Sequence, residues 1–464
     1  MSEEYSVRLS LIVNRFRSNL ALDVFEYRDF SLAIYFFSFI SVRGWVTSSA
    51  GDEKLSGFER YVNGAERQGY SELLAYASVV DELLGNEFFL SDVVSSFFRK
   101  SFEAHAAERI RDFSREMLDF VSQDEIFVSA GDYFELLIKI LSEGLGKRAG
   151  EDYTRRSLVE LMVDIVQPKG GEAVYDPVCG SGGFLVAASR YALAHGSKGQ
   201  ISLKGREINF SSSRLARMNC YLHGCSDFSI KTESSFQFVD LGSFDVVLAN
   251  PPFSMPFPES AVSVGPQVFE FGEPPRSNAD YAFLQVIVKS LKSTGRAAVV
   301  VPQGVLFRGG VEGEIRRSMV LAGLIDAVIS LPPSMLIGTS IPVSIMVLRG
   351  ASARKEGVLF VDAAAAYEVM RETEVGVQSV EAAVLDIYRG LRVIEGASNF
   401  VSISVLEENE FNLSLSRYIS PVGGDIASFE DLLNEQLALE GELDSLQDEF
   451  YRILNNSIEQ KAPH

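Results

Sequence analysis

Phe244-Asp245-Val246-Val247-Leu248-Ala249-Asn250-Pro251-Pro252-Phe253 is the stretch on which the reading of this chain turns. Its first six residues form a short, nearly unbroken apolar run, the pattern of a strand buried on both faces of a parallel sheet. Asn250-Pro251-Pro252-Phe253 therefore falls at a strand's carboxyl end, where open α/β sheets place their chemistry. Two consecutive prolines stiffen the turn. The Asn250 side-chain oxygen and the Pro251 carbonyl are acceptors suited to the two N–H bonds of an amino group conjugated with a ring. Holding both bonds pulls such a nitrogen toward a tetrahedral, more nucleophilic state. Phe253 offers a flat apolar face on which an extruded base can stack. Taken alone, an Asn-Pro-Pro turn that merely ends a strand is the simpler reading.

Short β-branched runs alternate with helical stretches on both sides of this segment. The expected strands are 173–176, 201–206, 228–230, 244–249, 297–301, 324–329 and 344–348, with helices at 184–194, 211–223, 281–291 and 311–322. That alternation predicts a mostly parallel, doubly wound sheet. The Pro- and Gly-rich connection from Ser254 to Ser277 is too long for an ordinary loop and reads as functional.

Asp176-Pro177-Val178-Cys179-Gly180-Ser181-Gly182-Gly183 follows the first of these strands and leads into a helical run. Glycines there allow a tight turn, let a ligand approach the backbone and present helix N-terminal N–H groups. The spacing is not GxGxxG, and no Walker lysine follows. Asp176, at the strand end, is placed to take the ammonium of an amino-acid-like cofactor. Glu207, in Gly205-Arg206-Glu207 at the end of the next strand, lies where an acid accepts hydrogen bonds from a ribose. Strand, glycine turn, helix, strand and acid in this order point to a nucleoside cofactor. Cys179 reads as a small packing residue. Upstream, Tyr153 and Thr154 are positioned to fold over the cofactor, Tyr153 packing and Thr154 hydrogen-bonding. Thr154 fits a helix N-cap equally well, since an apolar-periodic run starts at Leu158. Lys147, Arg148, Arg155 and Arg156 form a local basic cluster, a candidate for phosphate contact.

Composition sets limits on all of this. The chain has 464 residues, enough for two or three domains, and a formal net charge of -21. Tight DNA binding neutralises phosphates with Lys and Arg, so so acidic a chain is not expected to find a DNA sequence unaided. Three cysteines without a CxxC pair leave an odd thiol, which suits reduced thiols in cytoplasm. Four scattered histidines do not suggest a metal site. The N-terminus carries Glu3 and Glu4 and lacks a basic segment leading into an apolar core, so no signal peptide is expected, and the longest apolar stretch, Leu32 to Ile40, reads as a buried helix too short for a bilayer.

Residues 1 to about 150 lack proline and carry apolar residues at three- and four-residue spacing, as in Leu73-Leu74-Tyr76-Ala77-Val80-Leu83-Leu84, which predicts a helical bundle. Gly144 to Gly150 is a glycine-rich break. Near the other end, Ser428 and Asp431 suit a helix start. Leu432, Leu439, Leu443, Leu446, Phe450 and Ile453 then make a heptad seam in a strongly acidic segment. Such a helix either folds back onto its own domain or docks another subunit.

DPVCGSGG, the acid of GRE and NPPF, in that order, resemble the amino-group DNA methyltransferases that use S-adenosylmethionine. More narrowly, the chain resembles the modification subunit of type I restriction-modification systems. The likeness runs through GKRAGEDYTRRSLVELMVDIV, YDPVCGSGGFLV and NPPF, then NADYAFLQ, GRAAVVVPQGVLFRGG and IDAVISLPPSMLIGTSIPVSIMVL, and reaches FNLSLSRYI. It implies an α/β fold: a Rossmann-like S-adenosylmethionine-dependent methyltransferase sheet over 146–400, an N-terminal helical domain over 1–145 and a C-terminal segment with a docking helix over 401–464. It implies methyl transfer to N6 of a flipped adenine, with Asn250, Pro251, Pro252 and Phe253 catalytic. Cofactor contacts are implied at Tyr153, Thr154, Ser181, Gly182 and Gly183, next to Gly180 and Asp176, and at Glu207. Double-stranded DNA, a separate DNA specificity subunit and a restriction (nuclease/translocase) subunit are the implied partners, in the cytoplasm and with no membrane. The family usually has proline where this chain has Arg155. Two other readings stay open: methylation of a protein glutamine amide, for which a similar turn would hold an amide, and a scaffold subunit that keeps the fold without turnover.

Overall fold

The computed structural model describes residues 2–17, 24–43, 58, 61–62, 69–85, 88–100, 104–143, 154–196, 199–258, 267–335, 341–352, 356–373, 377–420 and 436. The chain divides into the compact units Met1–Ile419 and Ser420–His464. Apart from Ser420 and Gln436, the second unit lies outside the described residues, and with it the expected heptad helix.

The sheet of the first unit has nine strands: β1 Ala173–Asp176, β2 Ser202–Arg206, β3 Phe228–Lys231, β4 Phe244–Ala249, β5 Leu291–Pro302, β6 Ile325–Ser330, β7 Val343–Arg349, β8 Gly357–Asp362 and β9 Ser398–Ser402. Their spatial order is β3-β2-β1-β4-β5-β7-β6-β8-β9. The pairings β3-β2, β2-β1, β1-β4, β4-β5 and β6-β8 are parallel, while β7 runs antiparallel between β5 and β6. β9 pairs antiparallel with β8 at the edge. All seven expected strands are present. β5 starts at Leu291, six residues earlier than the apolar pattern suggested, because its first half carries Lys292, Ser293 and Thr294 outside the core.

Alternation along the strands explains why both faces are covered. Val174, Val246, Leu248, Ala298 and Val300 point into one core. Tyr175, Val247, Ala249, Ala297 and Val299 point into the other. Each buried Val or Leu contributes about 1.5–3 kcal/mol relative to exposure, so these runs are stable only between two helical layers. One layer holds α8 Arg156–Val166, α9 Gly183–Ala194 and α10 Phe210–Leu222, with α14 Ala363–Thr373 and α15 Val380–Gly390. The other holds α11 Asp280–Ser290, the short α12 Gly304–Phe307, α13 Gly310–Leu321 and α16 Ile403–Glu408.

Ahead of α8, the described helices are α1 Glu3–Arg17, α2 Val24–Val42, α3 Gly69–Leu83, α4 Leu90–Lys100, α5 Ala104–Val121, α6 Asp124–Val128 and α7 Ala130–Glu143. The apolar run Leu32 to Ile40 is inside α2 and is buried along its whole length. Among the described residues no helix is long and apolar enough to cross a membrane. The bundle core takes in Leu215, Met218 and Leu222 of α10. Ala216 and Cys220 of the same helix belong to the sheet core. α10 is thus buried on both sides, the wall shared by bundle and sheet.

β1 leads to β2 on one side, and β4 lies on β1's other side. The strand order reverses between β1 and β4. Ligands bind open α/β sheets in the crevice outside the carboxyl ends at such a switch point. Asp176 ends β1 and Asn250 follows β4, so the two segments singled out in the sequence meet there.

Candidate active site

The turn between β1 and α9 is shaped by Gly180 at φ 50° and Gly182 at φ 82°. A Cβ on Gly182 would come within 3.2 Å of Ala216, so only glycine lets this turn lie against α10. Gly182 is also the N-cap of α9, leaving the first N–H groups of that helix without a side-chain cap. Cys179 is buried in the sheet core, its N–H bonded to the Arg206 carbonyl at 2.9 Å. Glu207 ties the turn to β2. One carboxylate oxygen accepts from Gly180 N–H at 3.0 Å and the other from Asn209 N–H at 2.7 Å. The neighbouring Arg206 turns inward, to Glu233, Asp240 and the Tyr175 hydroxyl, and acts structurally.

A cavity of about 300 Å³ opens against this turn, at the lower end of the range for small-molecule sites. Of the residues expected at the site, Thr154, Asp176, Gly180, Ser181, Gly183 and Asn250 line it. Gly182 lies behind the turn, and Glu207, Pro251, Pro252 and Phe253 are not among the lining residues. Tyr153 lies outside the described residues, as do Lys147 and Arg148. Arg156 lines the cavity but pairs with Glu160 at 2.8 Å and faces Asp132 at 3.6 Å. Its charge is already answered there, which weakens the phosphate-contact expectation.

Asp176 is almost wholly buried, one oxygen accepting from Val178 N–H at 3.0 Å. Burial pushes its carboxyl up to about 8; the Val178 bond opposes that rise, and the Glu207 charge adds to it. A buried acid facing a cavity is the environment that gains most from a cation delivered beside it.

Asn250 donates from Nδ2 to Thr154 Oγ1 at 3.2 Å. Thr154 is therefore not the cap of α8; that place belongs to Arg155, whose side chain makes no capping bond. The β4 turn and the segment before α8 are fastened together instead. Asn250 Oδ1 is buried and accepts no hydrogen bond among the described residues. An orphaned acceptor on a cavity wall costs about 1–3 kcal/mol unless a ligand donor satisfies it. Phe253 is half-buried and packs against the sheet core.

Two lining residues were not visible in the sequence. Asn219 on α10 donates to the Ser181 carbonyl at 3.1 Å, and its Oδ1 is also buried without a partner among the described residues. Glu135 on α7 brings a carboxylate from the helical bundle to the same cavity, and burial holds it above the usual glutamate range. An acid in an amphipathic helix reads as part of a solvated face. Only the packing of α7 beside α10 turns it inward.

A family model described as N-6 DNA methylase matches residues 124–423, which takes in α6, α7 and the whole sheet. The chain belongs to the N-6 DNA methylase family. Among its relatives, the methylase subunit of the type I restriction enzyme HindI from Haemophilus influenzae is 31% identical over 338 residues, 68% of this chain and 76% of that one. The methylase subunit of the type I restriction enzyme MjaVII from Methanocaldococcus jannaschii is 26% identical over 427 residues, covering 80% and 72%. The fold is also that of the methyltransferase subunit of a type I restriction-modification system from Streptococcus thermophilus, with a TM-score of 0.65 at 24% identity, covering 90% of this chain and 99% of that one. The match from residue 124 places Glu135 inside the region that defines this N-6 DNA methylase.

Proposed function

We propose that this N-6 DNA methylase is the modification subunit of a type I restriction-modification system, methylating N6 of a flipped adenine with S-adenosylmethionine as donor. The observation that carries the reading is the buried Asn250 Oδ1, unpaired among the described residues, on the wall of a glycine-lined cavity that also holds Asp176.

The cavity suits that donor. Asp176 would take its ammonium, the backbone from Gly180 to Gly183 its amino-acid portion, and Glu207 its ribose hydroxyls. Tyr153 and Thr154 would cover it. When bound, S-adenosylmethionine supplies an electrophilic methyl group on a sulfonium.

The adenine N6 lone pair is spread into the ring, so N6 is a poor nucleophile until it is reshaped. Asn250 Oδ1 and the Pro251 carbonyl accept its two N–H bonds and favour the tetrahedral nitrogen. Pro251 and Pro252 hold those acceptors in place, so little reorganisation is needed. Phe253 stacks on the extruded base. After transfer the nitrogen carries a positive charge and a proton it must lose; Asn250 Oδ1 holds that proton until solvent removes it. Catalysis is then positioning and electrostatics, with no covalent enzyme intermediate.

The net charge of -21 supports a division of labour in which a DNA specificity subunit binds the site on duplex DNA. The acidic heptad segment after residue 428, which apart from Gln436 lies outside the described residues, is the proposed docking segment for that subunit or for a restriction subunit, in the cytoplasm where host DNA lies. Tritium-labelled S-adenosylmethionine, given to the chain with its specificity subunit and offered DNA or protein acceptors separately, tests the substrate class. Label in DNA adenine is expected, and label confined to protein would overturn the proposal.

A further inference from the structure

Ser254, directly after Phe253, has φ 52°, a left-handed conformation unusual for a residue with a side chain. Such a conformation persists only where its surroundings enforce it. Here the Ser254 N–H donates to Asp280 Oδ1 at 2.8 Å, and the Asp280 side chain is only 4% exposed at the start of α11. The other oxygen of Asp280 accepts from Arg308 Nη1 at 2.8 Å. That same Nη1 reaches Glu312 Oε1 at 3.1 Å, while Arg308 Nη2 donates to Ser254 Oγ at 3.3 Å. A Cβ on Gly304 would lie 2.5 Å from the Arg308 guanidinium, so glycine there makes room for the side chain.

Arg308 is itself held from below. Its carbonyl accepts from Arg316 Nη1 at 2.8 Å, and the buried Arg316 also donates from Nε to the Phe411 carbonyl at 2.8 Å. Leu413 N–H completes the brace by bonding the Leu306 carbonyl at 2.8 Å. A rigid chain of contacts therefore runs from Phe411 and Leu413 through Arg316 to Arg308, Asp280 and Ser254.

We propose that Arg308, acting through Asp280 and Ser254, is a positioning residue for methyl transfer: it sets the turn from Asn250 to Phe253 so that its acceptors meet the target amino group. The inference rests on the proposed role of that turn. The geometry favours positioning over a plain inter-helix brace because the N–H and the hydroxyl of Ser254 are both gripped at the residue next to Phe253. None of Asp280, Arg308 and Ser254 lines the cavity, so cofactor affinity should be indifferent to them.

Single-turnover methyl transfer to DNA by the chain assembled with its specificity subunit tests this, with cofactor affinity and thermal midpoint measured on the same samples. Arg308→Ala and Asp280→Asn are each expected to slow transfer roughly 10- to 100-fold, the scale of a small misplacement of reacting groups, with cofactor affinity unchanged. Arg308→Lys should fall between them and the wild type, since lysine keeps the charge toward Asp280 but has no second arm for Ser254. Asp280→Asn preserves shape and decides the matter alone if Arg308→Ala does not fold. Wild-type transfer rates in these variants, or losses that track cofactor affinity, overturn the positioning role. Asn250→Ala is the control: full activity there overturns the reading of the turn itself, whereas its loss alongside undiminished rates in Arg308→Ala and Asp280→Asn overturns only the role of Arg308.

Discussion

At the scale of single residues, the proposed role of Asp176 would link cofactor binding to protons. Burial pushes its carboxyl up to about 8. An ammonium brought beside it would favour the ionised form, so binding would release a proton across the range below that value. Affinity for S-adenosylmethionine should therefore rise by up to about tenfold per unit between roughly pH 5.5 and 7.5. The rise should flatten near pH 8, where the cofactor's α-amino group begins to lose its own proton. Titration calorimetry in two buffers of different ionisation heat measures both the affinity and the proton released. Asp176→Asn should bind more weakly and without this slope. Proton-neutral, pH-independent binding by the wild type would show that Asp176 does not face the ammonium.

At the scale of elements, α7 is the piece that joins the bundle to the cavity, which Glu135 and Ile138 help to line. His223, after α10, packs against Gly131 of α7, where a Cβ would lie 2.6 Å from the imidazole. Asp132 and Glu135 of α7 and Arg156 and Arg190 of the sheet layer face the same ring. Burial pushes the His223 imidazole down to about 4, against the pull of the Asp132 charge. The unfolded chain takes up that proton near pH 6.5. Between those values the unfolded state binds more protons than the folded one, so stability falls as pH drops through this window. His223→Gln removes the titration. It should lose about 2 kcal/mol less than the wild type between pH 7 and pH 5 in urea unfolding. Identical losses in both proteins would mean that His223 is not buried neutral.

The elements themselves were largely legible in sequence. Short apolar runs such as Val246-Val247-Leu248 and the glycine turn at Gly180 to Gly183 follow local rules, and a neighbour in sequence is enough to read them. The region beyond Gly350 was not, although it holds β8, α14, α15 and β9. The site's supports were hidden for a different reason. Asp280 and Arg308 are 28 residues apart, and Asp132 and Arg190 are 58 apart. No periodicity links such pairs; the fold has to bring them together. Thr154 shows the same limit: the sequence allowed a helix cap as readily as a hydrogen bond over the cofactor, and only the fold brings its hydroxyl to Asn250.

At the scale of the whole molecule, the switch point between β1 and β4 brings the glycine turn and the Asn250 segment to one crevice, in a chain whose net charge is -21. On the proposed reading, the net charge and the site belong to one arrangement, in which this chain performs the chemistry and a specificity subunit selects the DNA sequence. The most direct test is methylation-sensitive sequencing of host genomes carrying the wild-type gene, no gene, or the Asn250→Ala variant. N6-methyladenine at one defined sequence context is expected with the wild type and with neither of the other two. The same methylated adenines in the Asn250→Ala strain, or no adenine mark that depends on the gene, would contradict the central claim.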